Sequence, residues 1–279
     1  MILVFGKTGQ VSSELSTYED VKALGRETAD LSNPQACREA ILMYKPKAVI
    51  NAVAYTAVDK AETDEKLAES INGKSPAEMS KACAEMEIPL VHISTDYVFD
   101  GSGKKPWCTS DAPNPKNVYG RTKLLGELAI KSSGCIYAIL RTSWIVSAHG
   151  NNFVKKILRL SETRDSLTIV NDQIGGPTCA RDIANTCVSI AQQLIKEPWK
   201  TGVYHYTGQP DVSWYQFANE ILEQAGHFKV VDSILTSDYP TPASRPLNSR
   251  LDCSLIKETF NISRPFWRDG LKTILEELE

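Results

Sequence analysis

The chain has 279 residues, 42% of them hydrophobic, and a formal net charge of −3 with acidic and basic side chains mixed along its length. That length buries a sizeable core in one or two domains, and the near-balance of charge gives nucleic acid or an anionic membrane no electrostatic reason to bind. No stretch approaches the roughly 20 apolar residues that span a bilayer, and Met1 runs directly into a strand pattern without a basic leader, so a soluble cytoplasmic protein with no membrane partner is expected. Seven scattered cysteines with no C-x-x-C pair predict reduced, packed thiols. The four histidines show no metal-ligand spacing.

Short apolar runs at 2–5, 21–24, 48–52, 90–93, 135–140 and 167–170 alternate with helical patterns. In 75–86, for example, Met79, Ala82, Cys83 and Met86 recur at i, i+3, i+4 and i+7. Near-continuous apolar strands separated by helices predict an α/β fold, a doubly wound parallel sheet of Rossmann type covered on both faces. After the first run, Gly6-Lys7-Thr8-Gly9-Gln10-Val11-Ser12 opens a helix, the strand-turn-helix context of a dinucleotide site. Gly6 permits the tight turn and Gly9 a close backbone approach to a pyrophosphate held on helix amides. Ser12 stands where a third glycine would pack helix on sheet.

At the end of the second run a carboxylate would grip an adenosine ribose, but the chain has Gly25-Arg26. Arg26 is therefore a candidate for a ribose 2′-phosphate, with a solvated arginine as the plain alternative. Asp30 follows as a candidate for adenine or ribose, and Asn51-Ala52-Val53-Ala54-Tyr55 ends the third strand with small residues beside the cofactor. The stretch 100–117, rich in Gly and Pro, is expected as a long loop over the active site.

Tyr119 and Lys123 are i, i+4 neighbours on a predicted helix, which sets an ammonium beside a phenol. Moving a phenol from its free pKa near 10 toward 7 takes roughly 4 kcal/mol. One cation about 5 Å away at an effective dielectric near 20 supplies roughly 3 kcal/mol. The upstream Ser94-Thr95 hydroxyls complete a candidate hydride-transfer site. Beyond about Asn171 the pattern turns irregular, predicting an NAD(P)-binding domain over 1–170 and, over 171–279, a smaller C-terminal substrate-binding lobe interleaved with returns to the main sheet.

The segments Phe5-Gly6-Lys7-Thr8-Gly9-Gln10-Val11, Thr56-Ala57-Val58-Asp59, Ser94-Thr95-Asp96-Tyr97-Val98-Phe99, Asn117-Val118-Tyr119-Gly120, Arg141-Thr142-Ser143-Trp144, Asn151-Asn152-Phe153 and Arg245-Pro246-Leu247-Asn248-Ser249 cover nearly the whole chain. Together they resemble the extended short-chain dehydrogenase/reductase family and, within it, the dTDP-4-dehydrorhamnose reductases. The resemblance implies NAD(P)H-dependent reduction of the C4 ketone of a dTDP-sugar, dTDP-4-dehydro-β-L-rhamnose, to dTDP-β-L-rhamnose. It makes Tyr119 the proton donor, Lys123 the ribose ligand that lowers the Tyr119 pKa, and Thr95 a second hydrogen bond to the reacting oxygen. Gly9, Gln10, Val11, Asp30, Leu31, Ala54, Tyr55 and Thr56 would border the cofactor; Gly25-Arg26, with no carboxylate there, favours NADPH over NADH. Asp96 and Trp144 would border the sugar nucleotide, with Tyr97, Val98, Phe99 and Trp107 in the deoxy-sugar pocket and Arg245 and Asn248 on the pyrophosphate or base.

Some members of this family place a divalent metal between subunits on acidic side chains, yet after Gly176-Pro177-Thr178 this chain carries Cys179-Ala180-Arg181, so no metal is expected and a monomer or a homodimer is open. Dehydratases of similar fold carry a glutamate where Tyr97 stands, which argues against elimination. A reductase acting on a related nucleotide 6-deoxy-4-keto sugar, and a non-catalytic regulatory subunit of the same fold such as that of methionine adenosyltransferase, are the remaining alternatives.

Overall fold

A computed structural model describes residues 1–279. Six parallel strands form the main sheet: β1 (Ile2–Phe5), β2 (Val21–Leu24), β3 (Ala48–Asn51), β4 (Leu90–Thr95), β5 (Tyr137–Thr142) and β6 (Gly202–His205), in the spatial order β6-β5-β4-β3-β1-β2. Ile2 lies level with both Val21 and Ala48, and Phe5 with Leu24 and Asn51. The winding reverses between β1 and β3, and ligands of doubly wound sheets bind in the crevice at such a switch point.

Alternation along β1 explains why all four of its residues are buried. Ile2 and Val4 enter a core shared with α1 (Gln10–Leu15) and α5 (Ala180–Lys196), while Leu3 and Phe5 enter the opposite core with α2 (Pro34–Tyr44) and α3 (Ser75–Glu85). Met79, Ala82 and Cys83 form the buried stripe that the helical spacing predicts.

A third core joins helices Phe153–Thr163, Trp214–Gln224 and Trp267–Glu276, around Val146, Val154, Ile157, Phe217, Ile221, Trp267 and Leu271. Four residues on the N-terminal side of position 170, Val146, Val154, Ile157 and Leu167, therefore pack in this lobe. The chain returns to the main body through α5 and β6, and again through Leu251, Ile256 and Phe260.

One predicted strand is misplaced. Residues Ser166–Val170 do not join the main sheet; they pair in parallel with Val230–Ile234 as a two-stranded ribbon. Only Leu167 of the five is fully buried, which suits a half-exposed ribbon better than a sheet covered on both faces. The sixth position is filled by β6, whose Gly-Val-Tyr-His sequence carries too few apolar residues to stand out. The 100–117 loop is tied to the C-terminal segment: Trp107 stacks on Phe99 with ring centroids 4.7 Å apart, and its amide donates to the Arg250 carbonyl at 2.9 Å.

Candidate active site

At the switch point lies a cavity of about 700 Å³. Gly6, Gly9, Gln10, Val11, Arg26, Asp30, Leu31, Ala54, Thr56, Tyr119 and Lys123 all line it, so eleven of the twelve sequence-derived cofactor candidates meet in one place. Tyr55 does not line it: its amide bonds the Asn72 side chain at 2.8 Å and its hydroxyl donates to Asp64 at 3.0 Å. Lys7, Thr8, Glu27, Ile145, Gly150 and Asn151 line the cavity as well; of these only Asn151 lies in a segment that the sequence pattern singled out beyond the glycine turn.

The turn fits a dinucleotide. Gly6 sits at φ +111°, and a Cβ there would come within 2.3 Å of the Ser12 hydroxyl oxygen, so only glycine is free of strain and clash. That Ser12 hydroxyl is buried without a hydrogen-bond partner, and Gly9, at the start of α1, offers no side chain to cap the first amides. Buried amides and hydroxyls find partners in nearly every folded protein. A set left open beside a cavity is what a bound phosphate would satisfy. The Gln10 amide faces elsewhere, accepting from Ser147 at 3.1 Å and Asn152 at 3.0 Å.

Arg26 is 78% exposed in its side chain and pairs with Asp30 at 2.9 Å. The side chain of Glu27, the next residue along, folds its carboxylate back against Gly25 within the cavity wall.

The helix α4 (Val118–Ser132) starts at Asn117, whose side chain accepts from the Gly120 amide at 2.8 Å. Gly120 packs so close to the Tyr97 carbonyl that a Cβ would lie 2.1 Å from it, and this approach brings Tyr119 against the end of β4. Tyr97 and Tyr119 meet edge to face at 5.4 Å. Burial pushes the Tyr119 phenol up to about 12, opposed by the adjacent Thr95 hydroxyl and reinforced by Asp96. Thr95 donates to Asp96 Oδ1 at 3.0 Å and accepts from the Tyr97 amide at 3.2 Å. Asp96 Oδ2 is buried without a hydrogen-bond partner, and burial pushes this carboxyl up to about 6 against the pull of the Ser249 and Thr95 hydroxyls.

Lys123 departs from the expected geometry. Its Nζ donates to the Ile93 carbonyl at 2.6 Å and lies 3.1 Å from His92 Nε2, with only 1% of the residue exposed. The amine faces β4, so it does not lower the Tyr119 pKa in this structure; burial dominates that phenol. Burial also pulls Lys123 down to about 8, opposed by Glu127 one turn along. Glu127 is held by Arg141 at 2.6 Å and Ser94 at 2.6 Å, both buried, which turns the Ser94 hydroxyl away from the reaction centre.

The residues expected on the sugar nucleotide lie outside the lining of this cavity, although Ser249 bonds Asp96 and packs beside Gly175, which also meets Trp144. Asp96, Trp144, Arg245 and Asn248 do not line the cavity. Asn248 is 2% exposed and fully used: its amide donates to the Ser102 and Lys105 carbonyls at 3.2 and 2.8 Å, and its oxygen accepts from Arg250 at 3.0 Å. It has no capacity left for a nucleotide. Arg245 pairs with Asp59 at 2.6 Å. Trp144, held at φ +50°, stacks on Trp214 with centroids 3.5 Å apart. Val98 and Phe99 are fully buried core residues and so do not line a sugar pocket, while Trp107 is half-buried and stacked on Phe99.

Where some family members place a metal, the residues do not fit one. The Arg181 guanidinium sits between Glu14, at 3.1 Å, and Glu277, occupying with a fixed positive charge the space between two carboxylates. No cluster of three or more His, Cys, Asp or Glu side chains with metal-holding geometry is present.

The sheet order, the open amides and the cavity define a doubly wound, dinucleotide-binding type of α/β protein. The chain belongs to the family described as the RmlD substrate binding domain, whose profile matches residues 1–279. It is 39% identical over 293 aligned positions to dTDP-4-dehydrorhamnose reductase of Escherichia coli K12, covering 99% of this chain and 97% of that protein. Among solved structures, a dTDP-4-dehydrorhamnose reductase from Clostridium acetobutylicum superposes with a TM-score of 0.91 at 36% identity, covering 99% of both chains. The Bacillus anthracis reductase in complex with NADP does so at 0.91 and 31%, covering 99% and 98%.

Proposed function

We propose that the chain is an NAD(P)H-dependent oxidoreductase that reduces the C4 ketone of dTDP-4-dehydro-β-L-rhamnose to dTDP-β-L-rhamnose. The observation that carries this reading is the convergence of Tyr119 and Lys123 with the Gly6–Gly9 turn on one cavity; full-length likeness to reductases of that name supports the substrate. When bound, the nicotinamide supplies the hydride. The chain's own part is to hold and move a proton. As C4 is reduced its oxygen becomes an alkoxide, whose conjugate acid is about as weak as water, near 15–16. A phenol at about 12 is fully protonated at neutral pH and still acid enough to give its proton to that oxygen. Thr95, whose hydroxyl lies beside the phenol, is proposed to steady the same oxygen, and Lys123 to engage the cofactor ribose. Asp96 and Arg245 are retained as substrate contacts, and the substrate lobe is proposed to begin near Trp144, where the third core begins.

Arg26 and Glu27 line the same cavity wall with opposite charge, so we propose that NADPH and NADH are both accepted. Arg26→Ala should raise KM for NADPH roughly tenfold while leaving NADH nearly unchanged, as expected for one exposed charge-assisted hydrogen bond. Equal losses for both cofactors would remove Arg26 from phosphate recognition. The main test is an assay of purified protein with the dTDP-keto-sugar and either cofactor, followed by loss of reduced-nicotinamide absorbance and product chromatography. Failure to form dTDP-rhamnose defeats the assignment; turnover of a different 6-deoxy-4-keto sugar nucleotide would reassign the substrate.

A further inference from the structure

Three buried polar residues from different parts of the chain form a line behind the cavity. Asn51 at the end of β3, His92 in β4 and Lys123 in α4 are exposed by 0%, 0% and 1%. The Asn51 amide is oriented by the Val53 backbone, whose N–H donates to Oδ1 at 3.1 Å. Nδ2 of the same amide therefore faces His92 Nδ1, 3.1 Å away, as a donor. An imidazole that accepts at Nδ1 carries its proton on Nε2 when neutral, and burial beside Lys123 holds His92 neutral. Nε2–H then points at Lys123 Nζ, 3.1 Å away.

An ammonium has three donors and no acceptor. A charged Lys123 here would set donor against donor at Nε2. Moving the imidazole proton to Nδ1 transfers the same conflict to the Asn51 amide, and flipping that amide transfers it to the Val53 N–H. A neutral amine removes it in one step: the lone pair accepts from His92 Nε2–H while an N–H donates to the Ile93 carbonyl at 2.6 Å.

We infer that His92 is a positioning residue that holds Lys123 as an uncharged amine in the free chain, and that binding of the anionic cofactor converts it to the ammonium by uptake of one proton from solvent. The inference rests on the proposed cofactor site and goes beyond it. The step balances as Lys–NH₂ plus H⁺ giving Lys–NH₃⁺. The His92 hydrogen bond to the lone pair is broken, and the ammonium turns from His92 toward the cavity that Lys123 already lines. Other groups facing the amine act with or around this change. On its own helix Glu127 favours the charged form, but Arg141 from β5 and Ser94 from β4 already occupy that carboxylate. Tyr119 stands one turn earlier, with Asp96 beside it and a fully protonated phenol. The segment Ser70–Lys74 meets the helix through the uncharged Asn72, which bonds Thr122 at 3.1 Å. The downward pull of burial on Lys123, to about 8, agrees with an amine that is easily neutralised.

The test is isothermal titration of the purified full chain with NADH, whose pyrophosphate does not titrate near neutrality, at pH about 8.5 in two buffers of different ionisation enthalpy. Wild type should take up at least about half a proton per site, and Lys123→Met should take up none. His92→Asn keeps a polar atom for Asn51 and loses the one facing Lys123, so its uptake should fall to near zero because the amine is already charged before binding. His92→Gln, whose amide can turn its oxygen to accept from an ammonium, should likewise leave the amine charged before binding and show little uptake. Buffer-independent heat in wild type, or full uptake in His92→Asn, overturns the inference while leaving the cofactor reading intact. The wild-type measurement decides even if His92→Asn does not fold. Absence of any NADH or NADPH binding defeats the cofactor reading and the inference together.

Discussion

At the scale of single residues, the site places two acids of unusual strength side by side. Tyr119 is held protonated by burial, and its replacement by Phe removes the transferable proton while keeping the ring against Tyr97. Tyr119→Phe should lower kcat by about 10² or more with cofactor Kd nearly unchanged; steady-state kinetics beside a direct binding titration checks this, and near-wild-type turnover would remove the residue from its role. Asp96 makes a different prediction. Its folded-state pKa of about 6 lies above the ordinary 3.8, so the folded chain binds that proton more tightly than the unfolded one. Stability is then greatest below about pH 4, declines as pH rises toward 6, and above 6 is lower by about 3 kcal/mol. Asp96→Asn should therefore melt higher than wild type at pH 8 and equally at pH 4, while losing activity if Asp96 touches substrate. A variant less stable at pH 8 would show that the carboxylate is compensated by partners outside the hydrogen bonds described. The meeting of Gly6, Gly9, Tyr119 and Lys123 at one cavity was legible in sequence because spacing along one turn or helix sets which residues lie together. The His92 partnership was not, because His92 lies inside an apolar run and meets Lys123 across 31 positions of chain.

Elements repeat the lesson one level up. Strands β1 and β3 announce themselves as continuous apolar runs because both of their faces are covered, whereas the edge strands β2, with exposed Lys22, and β6, with Val203 and Tyr204, need fewer apolar residues to hold their places. Ser166–Val170 looks like a main-sheet strand in sequence, yet its partner lies 64 residues on, and no local pattern distinguishes that pairing from another. Asn248 was misread for a related reason: the last two residues of the Arg-Pro-Leu-Asn-Ser run, Asn248 and Ser249, form a short buried strand paired with Ile174–Gly175, while Leu247 before them stays exposed. Arg181 shows what element packing adds to a sequence-level doubt. It joins α5 to Glu14 of α1 and to Glu277 beyond the last helix, and Glu14 is only 7% exposed in its side chain. Arg181→Ala leaves that carboxylate with His149 Nε2 at 3.6 Å as its nearest remaining side-chain partner. The half-exposed arginine itself is worth little, but the stranded buried carboxylate should cost about 1–2 kcal/mol. Glu14→Gln added to Arg181→Ala should recover most of the loss in thermal melts. Wild type should melt at the same temperature with magnesium or with a chelator; a magnesium-dependent rise would show that a divalent ion displaces the guanidinium.

Over the whole molecule, the chain crosses between its two parts repeatedly, and this decides how it should unfold. After β5 it builds the third core with Val146, Val154, Ile157 and Leu167, then returns through α5 and β6, leaves for Phe217 and Ile221, returns at Ile256 and Phe260, and ends in Trp267 and Leu271. The glycine turn is fastened across the same divide, since the Gln10 side chain accepts from Ser147 and Asn152. Neither part is one continuous stretch of chain. Each crossing means that loosening one core withdraws support from the other, so a single cooperative transition is expected although two cores of this size melt separately when a simple linker joins them. The cofactor cavity is lined mostly by residues that precede the third core, with Ile145, Gly150 and Asn151 added from the stretch where that core begins, so it is a handle chiefly on the nucleotide-binding side. Saturation at a hundred times Kd should stabilise the folded state by about 2.7 kcal/mol, which for a chain of this length moves Tm upward by roughly 5 °C or slightly more. Calorimetry with and without NADPH should show one peak displaced as a whole. Two resolved peaks, of which only one moves, would mean that the substrate lobe folds independently of the nucleotide domain and that the crossings described here do not couple them.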